Sequence, residues 1–244
     1  MTAPGAAPPA SAGRTARERA RTELTREIKE EARRQLAQSG AGGLSLRAVA
    51  RELGMVSSAL YRYYPSRDDL LTALIIDAYD AIGEAAERAA AEQGTGAPGP
   101  ARDRWAAACH AIRDWARSHP HEYALIYGSP VPGYRAPEAT VGPASRVPLA
   151  LTGLLASAAA SGELAPGTAA PLTPGLAAQA ERLSGLLGLR GVPPAAVCGA
   201  VIAWTQLFGM ISFELFGQFV GSFEPADELF ARAVGELAAL AGLS

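Results

Sequence analysis

The sequence predicts an all-α protein, because apolar residues recur at helical spacing and no segment alternates apolar and polar residues as a half-buried strand does. Glycine and proline cluster between the periodic segments, where they separate one helix from the next. Charge divides the chain as well. Residues 1–67 hold 12 basic and 6 acidic side chains, a net of +6, whereas the remaining residues hold 10 and 18, a net of −8. The basic end is expected to meet a polyanion, although an unevenly solvated surface would give the same pattern.

The chain begins with a segment rich in Pro, Ala, Gly and Arg, residues 1–21, which is predicted to be a disordered basic tail. An amphipathic helix is predicted over residues 22–38, with Thr22 as its N-cap. One side of that helix carries apolar residues spaced four apart, namely Leu24, Ile28, Ala32 and Leu36.

Two short helices follow, joined by a tight turn. The first is predicted over residues 46–53, with Ser45 at its N-cap and Gly54 in a left-handed exit. The second is predicted over residues 57–64 and ends before Pro65. Its helical period places Val56, Leu60 and Tyr64 on the inward side, and leaves the hydroxyl, phenol and guanidinium groups of its other residues exposed. Such groups bind phosphate oxygens and base edges, so the pair of helices predicts a helix-turn-helix that binds DNA.

The rest of the chain is predicted to be a second, helical domain. Residues 22–66 would form the DNA-binding domain and residues 67–244 the second one. It would begin with a long helix over residues 67–92, capped by Ser66. Further helices are predicted at 101–118, 120–128, 146–161, 176–188, 194–219 and 226–242, with Pro/Gly-rich connections at 129–144 and 162–175.

Residues 44–71, LSLRAVARELGMVSSALYRYYPSRDDLL, resemble the DNA-binding signature of the tetracycline-repressor (TetR) family of bacterial regulators. The order and spacing over residues 22–71 are similar to those of the family: a helix, a helix-turn-helix, a tyrosine-rich end and a long linking helix. The resemblance implies a homodimeric transcriptional regulator, a repressor that binds a palindromic double-stranded DNA operator. A small, largely apolar effector would release it from the DNA.

The resemblance also implies nine DNA-contacting residues, which differ in the part of DNA that they meet. Those expected at backbone phosphates are Ser45, Arg47 and Arg67. Those expected against base edges are Ser57, Ser58 and Ala59, the last through an apolar contact. The remaining three, which are expected to bind either phosphates or bases, are Tyr61, Arg62 and Tyr63.

The C-terminal part resembles, through AWTQLFGMISFELFG at residues 203–217, a subtype of the family named for a Trp-His-Gly motif. Trp204 and Gly209 fit that motif, and Phe208 stands where histidine is common. The resemblance implies that this part binds the effector and forms the dimer, through helices 194–219 and 226–242. Gly199 and Gly209 would let the helices approach closely. The residues expected to bind the effector are Trp105, Cys109, Ile112, Trp115, Tyr123, Tyr127, Trp204 and Phe208. For each of them, packing in an apolar core is the alternative role.

Two other classes of protein are weighed against a regulator. Residues 191–213 carry no charge over 23 positions, which is long enough to span a bilayer, so a membrane-associated protein is one alternative. No basic cluster follows that segment, which favours a helix buried at a subunit interface. A helical enzyme is the other alternative, although no P-loop, nucleophile elbow or metalloprotease helix is present. An N-terminus without an apolar signal segment favours the cytoplasm.

No cofactor and no metal ion are predicted. Residues 94–99 match the pattern G-x-G-x-x-G, but a helix precedes them and Pro98 interrupts them, so they are interpreted as a linker. His119-Pro-His121 cannot place two ligands on one helical face, and the nearby Cys109, His110 and Glu122 do not follow a metal-binding spacing.

Overall fold

The computed structural model of the chain describes residues 10–91, 99–165 and 171–243, with side chains from residue 16 onward. Within these ranges the chain forms helices and no β-strand, so the all-α prediction is confirmed; an isolated bridge pairs Leu164 with Leu243. The helices are α1 (Ala10–Ser39), α2 (Leu46–Glu52), α3 (Ser57–Leu60), α4 (Arg67–Ala91), α5 (Ala101–Ser118), α6 (Pro120–Tyr127), α7 (Val141–Ser161), α8 (Pro174–Leu187), α9 (Pro194–Leu215) and α10 (Asp227–Leu240).

The chain divides into two compact units, and the boundary falls inside α4. The first unit runs to Leu74 and includes the short segment Val131–Tyr134; the second comprises Ile75–Pro130 and the chain from Arg135 onward. The predicted boundary between residues 66 and 67 therefore lies too early. The first turns of α4, which carry the buried Leu70, Leu71 and Leu74, belong to the first unit.

Helix α1 begins far earlier than predicted. It starts at Ala10, so the disordered tail predicted over residues 1–21 is wrong for residues 10–21, while residues 1–9 lie outside the described part of the chain. Residues 10–21 contain no proline and are rich in Ala and Arg, which are good helix formers. Thr22 is consequently a mid-helix residue, and its hydroxyl donates to the Glu18 carbonyl at 3.0 Å instead of capping the helix.

The predicted start of α7 was wrong. This helix begins at Val141, not at residue 146, and contains Pro143 and Pro148. A proline in the first helical turn replaces an amide that has no intrahelical acceptor, so Pro143 is tolerated. The predicted pattern at residues 94–99 lies almost entirely outside the described residues, between α4 and α5.

Helix α9 is the central helix of the second unit, where it packs against α5, α6, α7, α8 and α10. This explains the apolar residues on one side of the helix, which are fully buried, among them Ala203, Leu207 and Ile211. By length and composition alone, α9 is the one helix in the described ranges that could cross a membrane, with a mean hydropathy of 1.7. Of that apolar window, 44% is buried inside the structure, on the side that packs against the five neighbouring helices.

A buried arginine ties α5 to the end of α9 and the start of α10. Arg113 is 3% exposed, and its Nε and Nη2 donate to the two carboxylate oxygens of Glu214, both at 2.7 Å. Its Nη1 donates to Asp227 at 2.8 Å, and its guanidinium lies 4.7 Å from the centroid of the Phe230 ring. The hydrogen bond from Arg113 lowers the pKa of Asp227. Loss of the Arg113 side chain would remove hydrogen bonds to both carboxylates at once, so this one residue joins the three helices.

Gly199 permits a close contact within the chain. A Cβ at this position would lie 2.1 Å from the Leu240 carbonyl oxygen, so α9 and the end of α10 touch through backbone atoms. The expectation that Gly199 serves the dimer interface is therefore wrong. Nothing lies within 4 Å of a Cβ built at Gly209, which is exposed and remains available to a partner.

We expect Gly199→Ala to lower the free energy of unfolding by about 1–3 kcal/mol, because the added methyl group must force backbone atoms apart. Gly153→Ala is the matched control, since a Cβ there meets nothing within 4 Å in the middle of α7. It should raise stability by about 0.5–1 kcal/mol. Urea unfolding followed by circular dichroism measures both. Equal changes in the free energy of unfolding for the two substitutions would contradict the close approach of α9 to the end of α10.

Candidate nucleic-acid interface and effector site

Helix α2 is fixed at both ends by hydrogen bonds. The Ser45 hydroxyl caps it by accepting from the Ala48 amide at 3.4 Å, and the Ser45 amide donates to the Gln35 side chain of α1 at 3.2 Å. At the other end Gly54 has a φ of 65°, and the Met55 amide donates to the Ala50 carbonyl at 2.8 Å. The predicted cap and left-handed exit are both confirmed, so the turn into α3 has a defined shape.

Helix α3 is shorter than predicted. Only Ser57–Leu60 is α-helical, and the chain then tightens, with the Tyr63 amide donating to the Leu60 carbonyl at 2.8 Å. Pro65 disfavours the α conformation at Tyr64, so the helix does not resume after this turn. Leu60 and Tyr64 are buried as predicted, but Val56 is 70% exposed. Val56 precedes the helix in an extended conformation, so the helical period does not apply to it.

The side chains expected at DNA fall into two groups by exposure. Ser45, Ala59, Tyr63 and Arg67 are half-buried. The exposed members are Arg47, Ser57, Ser58, Tyr61 and Arg62. Among the described residues, no side chain of this second group has an intramolecular hydrogen bond or ion pair. Their donors are therefore available to a partner, on a helix whose other side is anchored by Leu60.

Arg67 holds the protein's own backbone. Its Nη2 donates to the Ala41 carbonyl at 2.6 Å and its Nε to the Leu44 carbonyl at 3.2 Å, and its Nη1 lies 3.4 Å from an oxygen of Asp68. It thereby fastens the 3₁₀ turn between α1 and α2 to the start of α4. A phosphate clamp at Arg67 would require the guanidinium to leave these carbonyls. No local pattern predicts this role, because the two acceptors are main-chain atoms more than twenty residues away.

The eight residues expected at the effector separate into three sets. Four form an aromatic cluster, in which the rings of Tyr127 and Phe208 lie 4.1 Å apart, those of Tyr123 and Tyr127 5.3 Å, and those of Trp204 and Phe208 6.2 Å. Another three, Trp105, Cys109 and Ile112, are fully buried on α5. Trp115 stacks on His119 at 5.1 Å.

Two further aromatic residues that the sequence analysis did not single out belong to this cluster. Tyr79 of α4 lies 5.9 Å from Tyr127, and Phe216 lies 6.4 Å from Tyr123. The Tyr79 hydroxyl also donates to the Ile126 carbonyl at 3.3 Å. Tyr79 therefore brings the long helix α4 into contact with α6 inside the second unit. Local patterns could not predict this contact, because Tyr79 and Tyr127 are far apart in the sequence.

The hydrogen bonding of these buried groups differs from one to the next. The Tyr123 hydroxyl donates to the Phe208 carbonyl at 3.1 Å and lies 2.9 Å from the Ser212 hydroxyl, and burial raises the Tyr123 pKa to about 12. Burial also raises the pKa of the Cys109 thiol, which keeps it neutral. In contrast, the buried indole nitrogens of Trp105 and Trp204 have no acceptor among the described residues. A buried donor without an acceptor costs about 1–3 kcal/mol, so each indole can gain from an acceptor that enters the unit.

The described ranges contain no group of three or more His, Cys, Asp or Glu side chains arranged to hold a metal ion. The histidines considered from the sequence have other neighbours. His119 Nδ1 lies 3.0 Å from the Trp115 carbonyl, and the His110 ring lies 5.3 Å from Phe230.

Comparisons with known proteins agree with this geometry. A sequence model described as bacterial regulatory proteins of the tetR family matches residues 28–74. A second one, described as a tetracyclin repressor-like C-terminal domain, matches residues 105–237. The HTH-type transcriptional regulators Rv1816 of Mycobacterium tuberculosis and Mb1846 of Mycobacterium bovis are each 40% identical to the chain over 210 residues. Those alignments cover 82% of this chain and 84% of each relative.

Solved structures have the same fold. The crystal structure of a protein described as regulatory, SCO4313, is similar with a TM-score of 0.69 and 36% identity, over 90% of this chain and 97% of that one. The regulator PfmR of Thermus thermophilus, described as a TetR family member, has a TM-score of 0.52 at 19% identity, over 89% and 98% of the two chains. From the match of both sequence models and of the relatives along most of its length, the chain belongs to the tetracycline-repressor family of DNA-binding transcriptional regulators.

Proposed function

We propose that the protein is a repressor that binds a palindromic operator as a homodimer and leaves it when a small effector binds. The observation that carries the proposal is the set of exposed, unbonded polar side chains on α3, whose opposite side is anchored in the first unit. A short helix of this kind enters a DNA major groove, and two copies related by two-fold symmetry read half-sites about 34 Å apart. As a DNA-binding regulator without a proposed catalytic role, it would act in the cytoplasm.

The proposed DNA contacts follow from exposure and position. Ser57 and Ser58, in the first turn of α3, would read base edges with their free hydroxyls, and Ala59 would make an apolar contact. Arg47, exposed in the first turn of α2, would bind a phosphate, as would the Ser45 hydroxyl. The remaining contacts would come from Tyr61, Arg62 and Tyr63. Arg67 would support the turn before α2 and reach a phosphate only by giving up its carbonyl partners.

The proposed effector site is the aromatic cluster of α6 and α9, which includes the Trp204 indole, together with the buried Trp105 indole of α5. The cluster offers apolar surface, and the unpaired indole donors of Trp105 and Trp204 favour an effector that carries hydrogen-bond acceptors. The effector would thus have an apolar body and at least one acceptor oxygen or nitrogen. Trp204 and Gly209 also support assignment of this part to the Trp-His-Gly subtype. Binding would weaken operator affinity by a coupling free energy of about 1–3 kcal/mol.

The proposed dimer interface consists of α8 and α9, in place of the predicted pair of helices 194–219 and 226–242. The exposed side of α9 carries Ile202 and Phe213, which are 46% and 54% exposed, and α8 carries Leu186 at 84%. The exposed side of α10 is charged instead, with Asp227, Glu228, Arg232 and Glu236. Apolar residues are favoured at the core of a homodimer interface and charged ones are not, which supports α8 and α9.

The test of function is selection from sheared DNA of the source, at two salt concentrations. We expect a palindromic sequence to be enriched, and Ser57→Ala/Ser58→Ala to lose the preference for it. Affinity for DNA of unrelated sequence should change little, because phosphate contacts carry no sequence information. Wild-type protein that enriches no sequence would contradict the proposal.

Arg47 and Arg67 should respond differently to removal of the side chain. Arg47→Ala should change the free energy of unfolding by less than about 0.5 kcal/mol, because the side chain is exposed and unbonded. It should weaken binding to all DNA sequences and reduce the salt dependence by about 1 per protomer. Arg67→Ala should lower the free energy of unfolding by about 1–3 kcal/mol, because two carbonyls lose a charged donor. Urea unfolding and fluorescence anisotropy measure the two effects, and equal stability of the variants would contradict the role given to Arg67.

The dimer interface can be tested with one added charge on each candidate helix. Ile202→Glu on α9 should give a monomer at concentrations where the wild-type protein is a dimer, because the charge would be buried against apolar groups. Ala231→Glu on the exposed side of α10 is the matched control and should remain dimeric. Sedimentation velocity measures both. Monomers from both variants would restore the pair of helices predicted from the sequence, and a dimer from Ile202→Glu would contradict the proposed interface.

A further inference from the structure

The N-terminal half of α1 carries arginines that lie next to the recognition helix. Arg17 and Arg21 line one groove together with Arg62 and Tyr63, which follow α3, and its volume is about 470 Å³. The Arg21 guanidinium lies 5.8 Å from the centroid of the Tyr63 ring. Since residues 17 and 21 are four apart, they share one face of α1. All of these residues belong to the first unit.

The charges in this groove are unbalanced. In the part of the chain that the structure describes, neither Arg17 nor Arg21 nor Arg62 forms an ion pair with a carboxylate. Arg26 of the same helix differs, because it pairs with both Glu23 and Glu30. Three guanidinium groups around one groove repel one another, and an anion placed among them would relieve the repulsion.

The setting of α1 also indicates an external partner. Every described side chain from Ala16 to Glu23 is exposed, whereas the core-facing side of the helix begins with Leu24 and Ile28. Packing in the first unit therefore does not explain why the helix extends through residues 16–23. The three guanidinium groups come from two separate segments of the chain, so they can bind several phosphates of one extended polyanion at the same time.

We propose that Arg17 and Arg21 bind the DNA backbone beside the recognition helix, so that the N-terminal part of α1 is a second, sequence-independent DNA contact. This inference rests on the proposed operator binding and adds α1 to it. Arg62 shares the groove and binds a phosphate there, not a base. The Tyr63 ring, within cation–π distance of Arg21, keeps that guanidinium at the groove.

The test compares Arg17→Ala/Arg21→Ala with Arg26→Ala, a control on the same helix that also removes positive charge. Alanine and arginine both favour helices, so α1 is retained in each variant, as circular dichroism will check. Affinity is measured by fluorescence anisotropy, over a range of salt, on two duplexes of equal length. One carries the sequence that the wild-type protein selects, and the other carries a scrambled sequence.

We expect the double variant to bind both duplexes at least about tenfold more weakly, by the same factor on each. The slope of log affinity against log salt should fall by about 3–4 for the dimer, because each lost phosphate contact contributes about 0.9. Arg26→Ala should change neither quantity appreciably, since its charge is already balanced by glutamates.

Three results would overturn the inference. The double variant could match Arg26→Ala on both duplexes, or it could lose affinity for the selected sequence alone, which would make the groove a reader of bases. Alternatively, inorganic phosphate at constant ionic strength could raise the melting temperature of the wild type but not of the double variant, with DNA binding equal in both. The groove would then hold a free anion. Wild-type protein with no preference between the duplexes would instead contradict the proposed operator binding itself.

Discussion

The proposed DNA-recognition surface depends on the burial of Leu60. Helix α3 has a single α-helical turn, and Leu60 is its one fully buried residue, with Tyr64 buried just beyond it. So short a helix has no stability of its own and takes its position from this apolar contact and from the turn at Gly54. Because the anchor fixes which side faces inward, Ser57, Ser58 and Arg62 are exposed. The same contact therefore stabilises the unit and determines which groups DNA can meet.

Hydrogen bonding distinguishes the polar groups that hold the first unit together from those that are exposed to a partner. The groups that shape the unit are engaged within it: Gln35 accepts from the Ser45 amide, and Arg67 donates to the carbonyls of Ala41 and Leu44. The exposed groups around α3 have no such partners among the described residues, and the arginines of α1 join them at one groove. A positively charged surface on a rigid support attracts a polyanion without having to rearrange.

The second unit is held by a different combination of contacts. Arg113 joins α5, α9 and α10 through two carboxylates, while α9 is buried against five other helices. Within this frame the aromatic cluster and the unpaired indoles of Trp105 and Trp204 supply apolar surface and free donors. Tyr79 connects the cluster to α4, the helix that begins in the first unit.

Local signals in the sequence were enough to predict most of the first unit. Ser45, Gly54 and Ser66 act through hydrogen bonds and dihedral angles that span a few residues, and the helical period identified Leu60 and Tyr64 correctly. The inward position predicted for Val56 was wrong because this residue precedes the helix. The early start of α1 was missed because composition alone suggested disorder for residues 10–21. The roles of Arg67, Arg113 and Gly199 could not be predicted, since each depends on atoms that are distant in sequence and adjacent only in the fold.

The most direct measurement is hydrogen–deuterium exchange of the protein with and without the DNA that it selects. We expect slower exchange in peptides that cover residues 16–24 and 44–64, because DNA would hold α1, α2 and α3 in place. Peptides from α10 should exchange at the same rate in both states. Protection confined to the second unit, with residues 44–64 unchanged, would contradict the assignment of α3 as the recognition helix.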